Sequence, residues 1–303
     1  YAELIYNGFW FAPEFDALMA FMTDRVDAEL LTNARRLAVV GGALKGYDNI
    51  DIAACDEAGV WATNVPDLLT VPTAELAIGL LIGLARHIRA GDAFVRDGFT
   101  GWSPRFYGMG LAGSRIGIIG MGAIGKAIAQ RLLAFDTTLL YTETRPLEND
   151  SPFATQMTHV DLATLLHECD AVILATPLTP QTLHLIDSQT ITRMRRGALL
   201  INPCRGSVVD ETAVAEALNS GHLGGYASDV YEMEDLSRTP RPTHIDSRLL
   251  AHPNTLFTPH LGSAVTSVRR AIESRAADNI LAVLRGETPP DAINTPRPAK
   301  RSC

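Results

Sequence analysis

Gly120, Gly122 and Gly125 fall in the order G-x-G-x-x-G, directly after the apolar run Ile116–Ile119 and at the head of a helical pattern that continues through Leu133. That spacing can hold a pyrophosphate. The first glycine permits a tight turn, the second lets the backbone approach the phosphates, and the third lets the helix pack closely on its strand. The anion then sits on the helix N-terminus, where unpaired N–H groups and the helix dipole favour negative charge. A second strand pattern from Thr137 to Tyr141 runs into Glu143, about 20 residues downstream, where a carboxylate can accept hydrogen bonds from ribose hydroxyls. A carboxylate there also repels a 2′-phosphate, which favours NAD, although Arg145 stands close by. An ordinary Gly-rich strand–helix turn has the same glycine spacing; the acid and the βα units that follow argue against it.

Other side chains could carry a proton or an anion. His260 follows a strand end and a proline, and an imidazole with a pKa of ~6.5 is the usual proton carrier at neutral pH. Its alternative reading is a surface-loop histidine. Glu234, within Glu232-Met-Glu-Asp235, is either a carboxylate that orients an imidazole or part of a solvated acidic loop. Arg205 sits in a turn between strand and helix patterns, where its planar fork suits an oxyanion, or where it caps a helix. Lys45 interrupts Gly41-Gly-Ala-Leu-Lys-Gly46, and Arg269 lies on a helix that begins near 264. Read alone, these two are surface charges.

The elements that must position these groups follow a regular order. Short β-like runs at Arg115–Gly120, Thr137–Glu143, Asp170–Ala175, Ala198–Ile201, Tyr226–Val230 and Leu256–Thr258 alternate with helical patterns at 124–134, 160–168, 188–194 and 210–219. Continuous apolar strands of this kind belong to a parallel sheet covered on both faces. Alternating βα units predict a doubly wound sheet with its ligand crevice beyond the carboxyl ends of the strands. Thr176-Pro177, the Asn202–Gly206 segment, Asp229 and Pro259-His260 each follow a β candidate, which places them along one rim. A smaller unit comes first, with strands at Ala17–Met22, Leu37–Gly42 and Val60–Thr63 and helices near 27–35 and 51–58. Long helices open at Pro72 and span Ala264–Leu284, and both read as hinges; the tail Thr295–Cys303 reads as disordered.

Bulk properties narrow the class. A net charge of −8, from 26 basic and 34 acidic residues, lacks the basic footprint of a nucleic-acid binder. Cysteines 55, 169, 204 and 303 show no CxxC or zinc spacing, which points to free thiols in a reducing compartment and to no metal site. The apolar stretch Leu76–Ala85 is too short to span a bilayer. A cytoplasmic protein without membrane partners is the expectation.

The glycine fingerprint, Asn202-Pro-Cys-Arg-Gly-Ser-Val-Val-Asp210, the segment around Asp229 and Thr258-Pro-His260-Leu-Gly-Ser263 together resemble the D-2-hydroxyacid dehydrogenases, over about Met19 to Ala292. Within that family, Gly42–Asn49, Val65–Glu75, Tyr231–Asp235 and Leu249–Phe257 are most similar to the phosphite dehydrogenase branch. The resemblance implies a Rossmann domain at 71–264 inserted in a smaller flavodoxin-like substrate domain, 1–70 and 265–303. Tyr1–Phe15 does not resemble the family's first strand, so the small domain is expected to be N-terminally incomplete. Gly98–Gly101 is also shorter than the matching stretch. The implied catalytic set is His260, Glu234 and Arg205. Lys45, Arg205 and Arg269 would hold the substrate anion, surrounded by Trp102, Tyr107, Met22 and Ser263, whose plainer reading is packing. For NAD, the implied contacts begin with Lys45, Thr73, Gly120, Gly122, Ala123, Ile124 and Gly125. They continue through Glu143, Thr144, Ala175, Thr176, Pro177, Cys204, Asp229 and His260. A compact anion of up to two charges suits three converging cations, so the expected reaction is oxidation of phosphite to phosphate by a homodimer. The alternative is a D-2-hydroxyacid dehydrogenase or glyoxylate/hydroxypyruvate reductase. A redox-sensing interaction protein, like the C-terminal-binding corepressors of this fold, is the rival from another class.

Overall fold

A computed structural model describes residues 14–148 and 155–296. The opening segment Tyr1–Phe15 therefore lies almost wholly outside the described residues, as does the tail beyond 296. Contacts divide the described chain into two units: 14–69, 235–240 and 264–296 in one, and 70–148, 155–234 and 241–263 in the other.

In the smaller unit, β1 (Ala17–Ala20), α1 (Ala28–Asn33), β2 (Val39–Gly42), α2 (Ile52–Ala58) and β3 (Trp61–Thr63) alternate, and the strands form a parallel sheet in that order. Both short helices start where the sequence supplies a capping aspartate. Asp27 accepts the Leu30 N–H, and Asp51 accepts the Ala54 N–H, each relieving an orphan donor of the first turn. Leu30, Leu31, Val40, Leu44 and Cys55 form the core between helices and sheet.

The larger unit contains α3 (Thr70–Ala85), α4 (Ile88–Arg96), β4 (Arg115–Ile119), α5 (Ala123–Leu132), β5 (Thr138–Thr142), β6 (Met157–His159), α6 (Leu162–Glu168) and β7 (Ala171–Leu174). It continues with α7 (Ser188–Arg193), β8 (Ala198–Asn202), α8 (Glu211–Asn219), β9 (Leu223–Ser228), α9 (Ser247–Ala251) and β10 (Thr255–Phe257). The last helix, α10 (Thr266–Leu284), belongs to the smaller unit. Seven parallel strands lie in the order β10-β9-β8-β7-β4-β5-β6. Alternate residues feed two cores: Val172, Leu174 and Leu200 face one side, while Ile116, Ile118, Ile173 and Ile201 face the other. Period-two alternation within all-apolar strands is what burial on both faces requires.

Three elements differ from the sequence reading. β6 and α9 are three and five residues long, too short for a pattern to register. α4 has an amphipathic pattern, but it is nine residues long with Gly91, a poor helix former, in its middle, and it buries none of its residues. No single helix among the described residues is long and apolar enough to cross a membrane; α3 and α4 pass that test only jointly, across a 63° bend.

The switch in winding falls between β4 and β7, where Ile119 pairs with Leu174. Here the backbone has no room to spare. A Cβ on Gly125 would stand 2.1 Å from the Gly120 carbonyl oxygen. Gly79, on an exposed helical face, has nothing within 4 Å of its Cβ position. Gly125→Ala is expected to cost ~1–3 kcal/mol, the usual range for overpacking, and to lower the melting temperature measured by calorimetry. Gly79→Ala should be neutral or stabilise by up to ~1 kcal/mol, because it only removes unfolded-state freedom.

Candidate active site

The crevice beyond the sheet begins at the first glycine. Gly120 takes a φ of 96°, and a Cβ on it would lie 2.6 Å from the Ala175 carbonyl oxygen. The main chains of the Gly120 turn and of Ala175-Thr176-Pro177 therefore touch, with the Ala175 N–H donating to Ile119 O at 2.7 Å. Gly122 caps α5 without a side-chain hydrogen bond, and the space its Cβ would occupy is open. Ala123 and Ile124 begin the helix there. An open helix N-terminus bounded by a close-packed turn fits a dinucleotide pyrophosphate.

Glu143 stands just past the end of β5. Its Oε2 accepts the Met121 N–H at 2.8 Å, while Oε1 accepts the Thr144 N–H at 2.8 Å and the Thr144 hydroxyl at 3.1 Å. Partial burial opposes its charge, but these bonds outweigh it and hold the carboxyl below its ordinary value. The group is thus a fixed anion, suited to accept from ribose hydroxyls.

The turn after β8 is built around Asn202, which is fully buried. Its Oδ1 accepts the Cys204 N–H at 3.1 Å, and its Nδ2 donates to Arg205 O at 2.9 Å. The half-buried Arg205 donates from Nη1 to Cys204 O at 2.9 Å. The next residue must be glycine: a Cβ on Gly206 would fall 1.9 Å from the Tyr231 carbonyl carbon. The arginine turn thereby rests on the Tyr231–Glu232 peptide.

His260 is placed by Asp229, a carboxylate only 1% exposed. Asp229 Oδ1 accepts the Thr258 hydroxyl at 2.5 Å and the Leu261 N–H at 2.6 Å, and Oδ2 accepts the Gly262 N–H at 2.8 Å. Its own carbonyl takes the His260 N–H at 2.9 Å. Burial pushes the Asp229 carboxyl up, and the three donors pull against it. Thr73 Oγ1 donates to Gly262 O at 3.2 Å, so α3 braces the same loop. His260 sits at a φ of 57°, a left-handed conformation that this network enforces. Its Nδ1–H donates to Glu234 Oε2 at 3.0 Å, both side chains being half-buried. Glu234 comes from a 3-10 turn, Glu232–Glu234.

In the smaller unit, Arg269 on α10 directs Nη1 at Ala43 O, 3.4 Å away, and so lies against the turn that carries Lys45. It also pairs with Glu273 at 3.4 Å and stacks 5.9 Å from the centre of the Phe21 ring. Burial pushes the Lys45 ammonium down, and Asp67 counters it. Met22 packs against the core of that unit. Trp102 and Tyr107 are 83% and 77% exposed, and Ser263 is partly buried at the end of the His260 loop.

A family model described as the NAD binding domain of the D-isomer specific 2-hydroxyacid dehydrogenases matches residues 78–262. The chain belongs to that family. It is 40% identical over 288 residues to a glyoxylate reductase of Pyrococcus horikoshii, an alignment covering 93% of this chain and 83% of the relative. A glyoxylate reductase of Thermococcus litoralis is 39% identical, with 93% and 84% covered. The crystal structure of a protein from Thermus thermophilus matches with a TM-score of 0.85 at 37% identity, over 97% of this chain and 89% of that one. The chain is thus an NAD-dependent oxidoreductase of this family, acting on a small molecule.

These relatives overturn the expectation of phosphite oxidation. The fingerprint, the Arg205 turn and the His260 loop all fall within the matched NAD-binding region, so they mark the family and not an inorganic substrate. The charge count fails for a physical reason: a guanidinium or ammonium receives a carboxylate as readily as a phosphorus oxyanion.

Sequence reasoning passed over Glu211, Glu232 and His184. Glu211 and Glu232 are 4% and 5% exposed, and each accepts the other's backbone N–H, at 2.9 and 3.0 Å. The signal available was two acids spaced by two, Glu232 and Glu234, in a segment too short to solvate both alike. Burial holds Glu211 up at about 7, against the pull of its hydrogen bonds and with the Glu232 and Asp246 carboxylates adding to the rise. Its folded value exceeds the ~4.3 of an unfolded chain. Its proton therefore stabilises the fold fully at acid pH, and that contribution is lost as pH rises through about 7. Glu211→Gln cannot ionise, so its melting temperature is expected to gain on the parent's between pH 5 and 8. Differential scanning fluorimetry across that range checks this, and a gap independent of pH contradicts it.

Proposed function

We propose that the chain reduces glyoxylate and related short 2-oxo acids with NADH, and oxidises the corresponding D-2-hydroxy acids in reverse. The observation that carries this reading is the His260–Glu234 hydrogen bond of 3.0 Å at the rim of the dinucleotide crevice, together with relatives named glyoxylate reductases. NADH, when bound, supplies the hydride that reduces the carbonyl carbon. The protein's own groups do the rest. Glu234 holds Nδ1–H and stabilises the imidazolium, which leaves Nε2–H to protonate the carbonyl oxygen as it becomes a hydroxyl. In the oxidative direction the neutral Nε2 takes that proton back. Arg205 offers its fork to the substrate carboxylate. Within the smaller unit, Lys45 and Arg269 supply positive charge suited to the same class of anion. Glu143 accepts from the adenosine ribose and disfavours a 2′-phosphate.

The same reading includes a homodimer. The segment from α4 to Tyr107 exposes Ile88, Val95, Phe99, Trp102, Phe106 and Tyr107. Phe94 gathers part of it, with Phe99 and Phe106 edge-on at 5.9 and 5.7 Å. A run of exposed large apolar side chains within 20 or so residues exceeds what isolated surface hydrophobics explain, and self-association through a two-fold axis is the commonest way to cover one.

NADH consumption is expected with glyoxylate, and His260→Ala should lower kcat by about 10²–10⁴. Arg205→Gln removes a charge-assisted contact of ~1.5–3 kcal/mol and should raise the glyoxylate KM roughly 10- to 100-fold, leaving NADH affinity measured by fluorescence titration nearly unchanged. Equal losses for both ligands count against Arg205 at the substrate carboxylate. Light scattering should report twice the chain mass. Replacing Trp102 and Tyr107 together by aspartate should shift that mass toward the monomer.

A further inference from the structure

Glu232 lies two residues before Glu234 on the same 3-10 turn, and both ends of it are fixed. Its Oε1 accepts the Glu211 N–H at 3.0 Å, its Oε2 accepts the His184 Nε2–H at 2.9 Å, and its own N–H donates to Glu211 Oε1 at 2.9 Å. His184 is itself fixed: it takes a left-handed φ of 48°, and its N–H donates to Ser207 O at 2.8 Å. It ends the stretch that leaves β7 through Ala175-Thr176-Pro177. Within that stretch, Thr182 Oγ1 donates to Pro177 O at 2.6 Å. On the opposite side, the Tyr231–Glu232 peptide fills the space where Gly206 lacks a Cβ. Glu232 thus ties together, through its buried side chain and its own peptide, the loop beside the dinucleotide turn, the arginine turn and the turn bearing Glu234.

We infer that Glu232 and His184 are positioning residues: they lock the Glu232–Glu234 turn so that Glu234 is aimed at Nδ1 of His260. This rests on the roles proposed above for His260 and Glu234. The charged and titratable groups facing the assembly are Glu211 and Asp246 behind Glu232, Tyr231 and Asp229 beside Glu234, and Arg205 ahead of Gly206. Asp235, buried directly after Glu234, and Arg241, which donates from Nε to Met233 O at 3.0 Å, belong to the same set. When the His184 bond is lost, the turn is free to rotate Glu234 off the imidazole. His260 then loses its partner at Nδ1, and its ring is no longer held in the tautomer and orientation that Glu234 sets.

Rescue separates positioning from simple electrostatics. Glutamine at 184 offers an N–H to the same oxygen without an ionisable ring, so it restores a lock and cannot restore a charge.

The experiment compares the parent chain with His184→Ala and His184→Gln. The kcat and the KM for NADH and glyoxylate are measured, and the hydrogen-bonded Nδ1–H proton of His260 is followed by NMR. His184→Ala is expected to lose that Nδ1–H signal, and its kcat should fall about tenfold while the NADH KM stays within about twofold. His184→Gln, whose amide can donate to the same oxygen, should restore most of both. An Nδ1–H signal unchanged in His184→Ala overturns the inference, as does a kcat that glutamine fails to rescue. Should the alanine variant not fold, His184→Asn, too short to reach Oε2, is read by the same criteria. If the parent turns over no glyoxylate while its His260 Nδ1–H signal still responds to residue 184, the substrate reading fails and the positioning role stands.

Discussion

Asp229 is the residue around which the His260 loop folds. A carboxylate removed from water must find donors or give up its charge, and within its reach the described donors are the Thr258 hydroxyl and the N–H groups of Leu261 and Gly262. To bring all three to one carboxylate, the chain must reverse sharply between them, which forces His260 at the apex into left-handed backbone. That conformation costs about 1–3 kcal/mol in a residue with a Cβ. It persists because relaxing it strands a buried charge, which costs more. The position of the imidazole therefore follows from the needs of a neighbouring acid, and Glu234 then has only to meet Nδ1.

The same logic governs the backbone approaches. Gly120, Gly125 and Gly206 stand where another main chain passes too near for any Cβ, with the would-be contacts at 2.6, 2.1 and 1.9 Å. Two of these contacts bind the dinucleotide turn to its own helix and to the Ala175 strand end. The third seats the arginine turn on the Tyr231–Glu232 peptide. Close main-chain contact fixes the backbone from which an imidazole and a guanidinium are presented at the rim.

Much of this is legible before the structure. The glycine spacing places the switch point, because only one βα junction carries it, and the continuous apolar strands of β4, β7 and β8 announce a sheet buried on both sides. His260, Glu234 and Arg205 are readable through motifs whose residues lie close in sequence to strand ends. What stays hidden depends on pairings across large separations. Glu211 meets Glu232 because β8 and β9 are neighbours, and His184 reaches it from the stretch after β7, on the other side of β8; the spacing of Glu232 and Glu234 hints at two environments but names neither partner. Helix α4 is hidden for a different reason: it is only nine residues long with Gly91 in its middle, so its amphipathic pattern carries little helical weight.

The substrate reading failed on a question of physics that sequence could pose but not answer. Counting cations measures how strongly a site attracts an anion; it does not measure which anion fits. Lys45, partly desolvated and with its charge weakened by burial, and Arg269, already shared among Ala43 O, Glu273 and the Phe21 ring, are poorer anion clamps than their formal charges suggest. Arg269 in particular divides its donors between a carbonyl and a carboxylate, and an ion pair so satisfied gains less from a second anion. Discrimination between a planar carboxylate next to a carbonyl and a tetrahedral oxyanion does not come from the imidazole–carboxylate pair either, since one proton moves in both reactions. What decides against phosphite is the likeness to relatives named glyoxylate reductases, and the charge pattern that suggested it belongs equally to a site for a carboxylate.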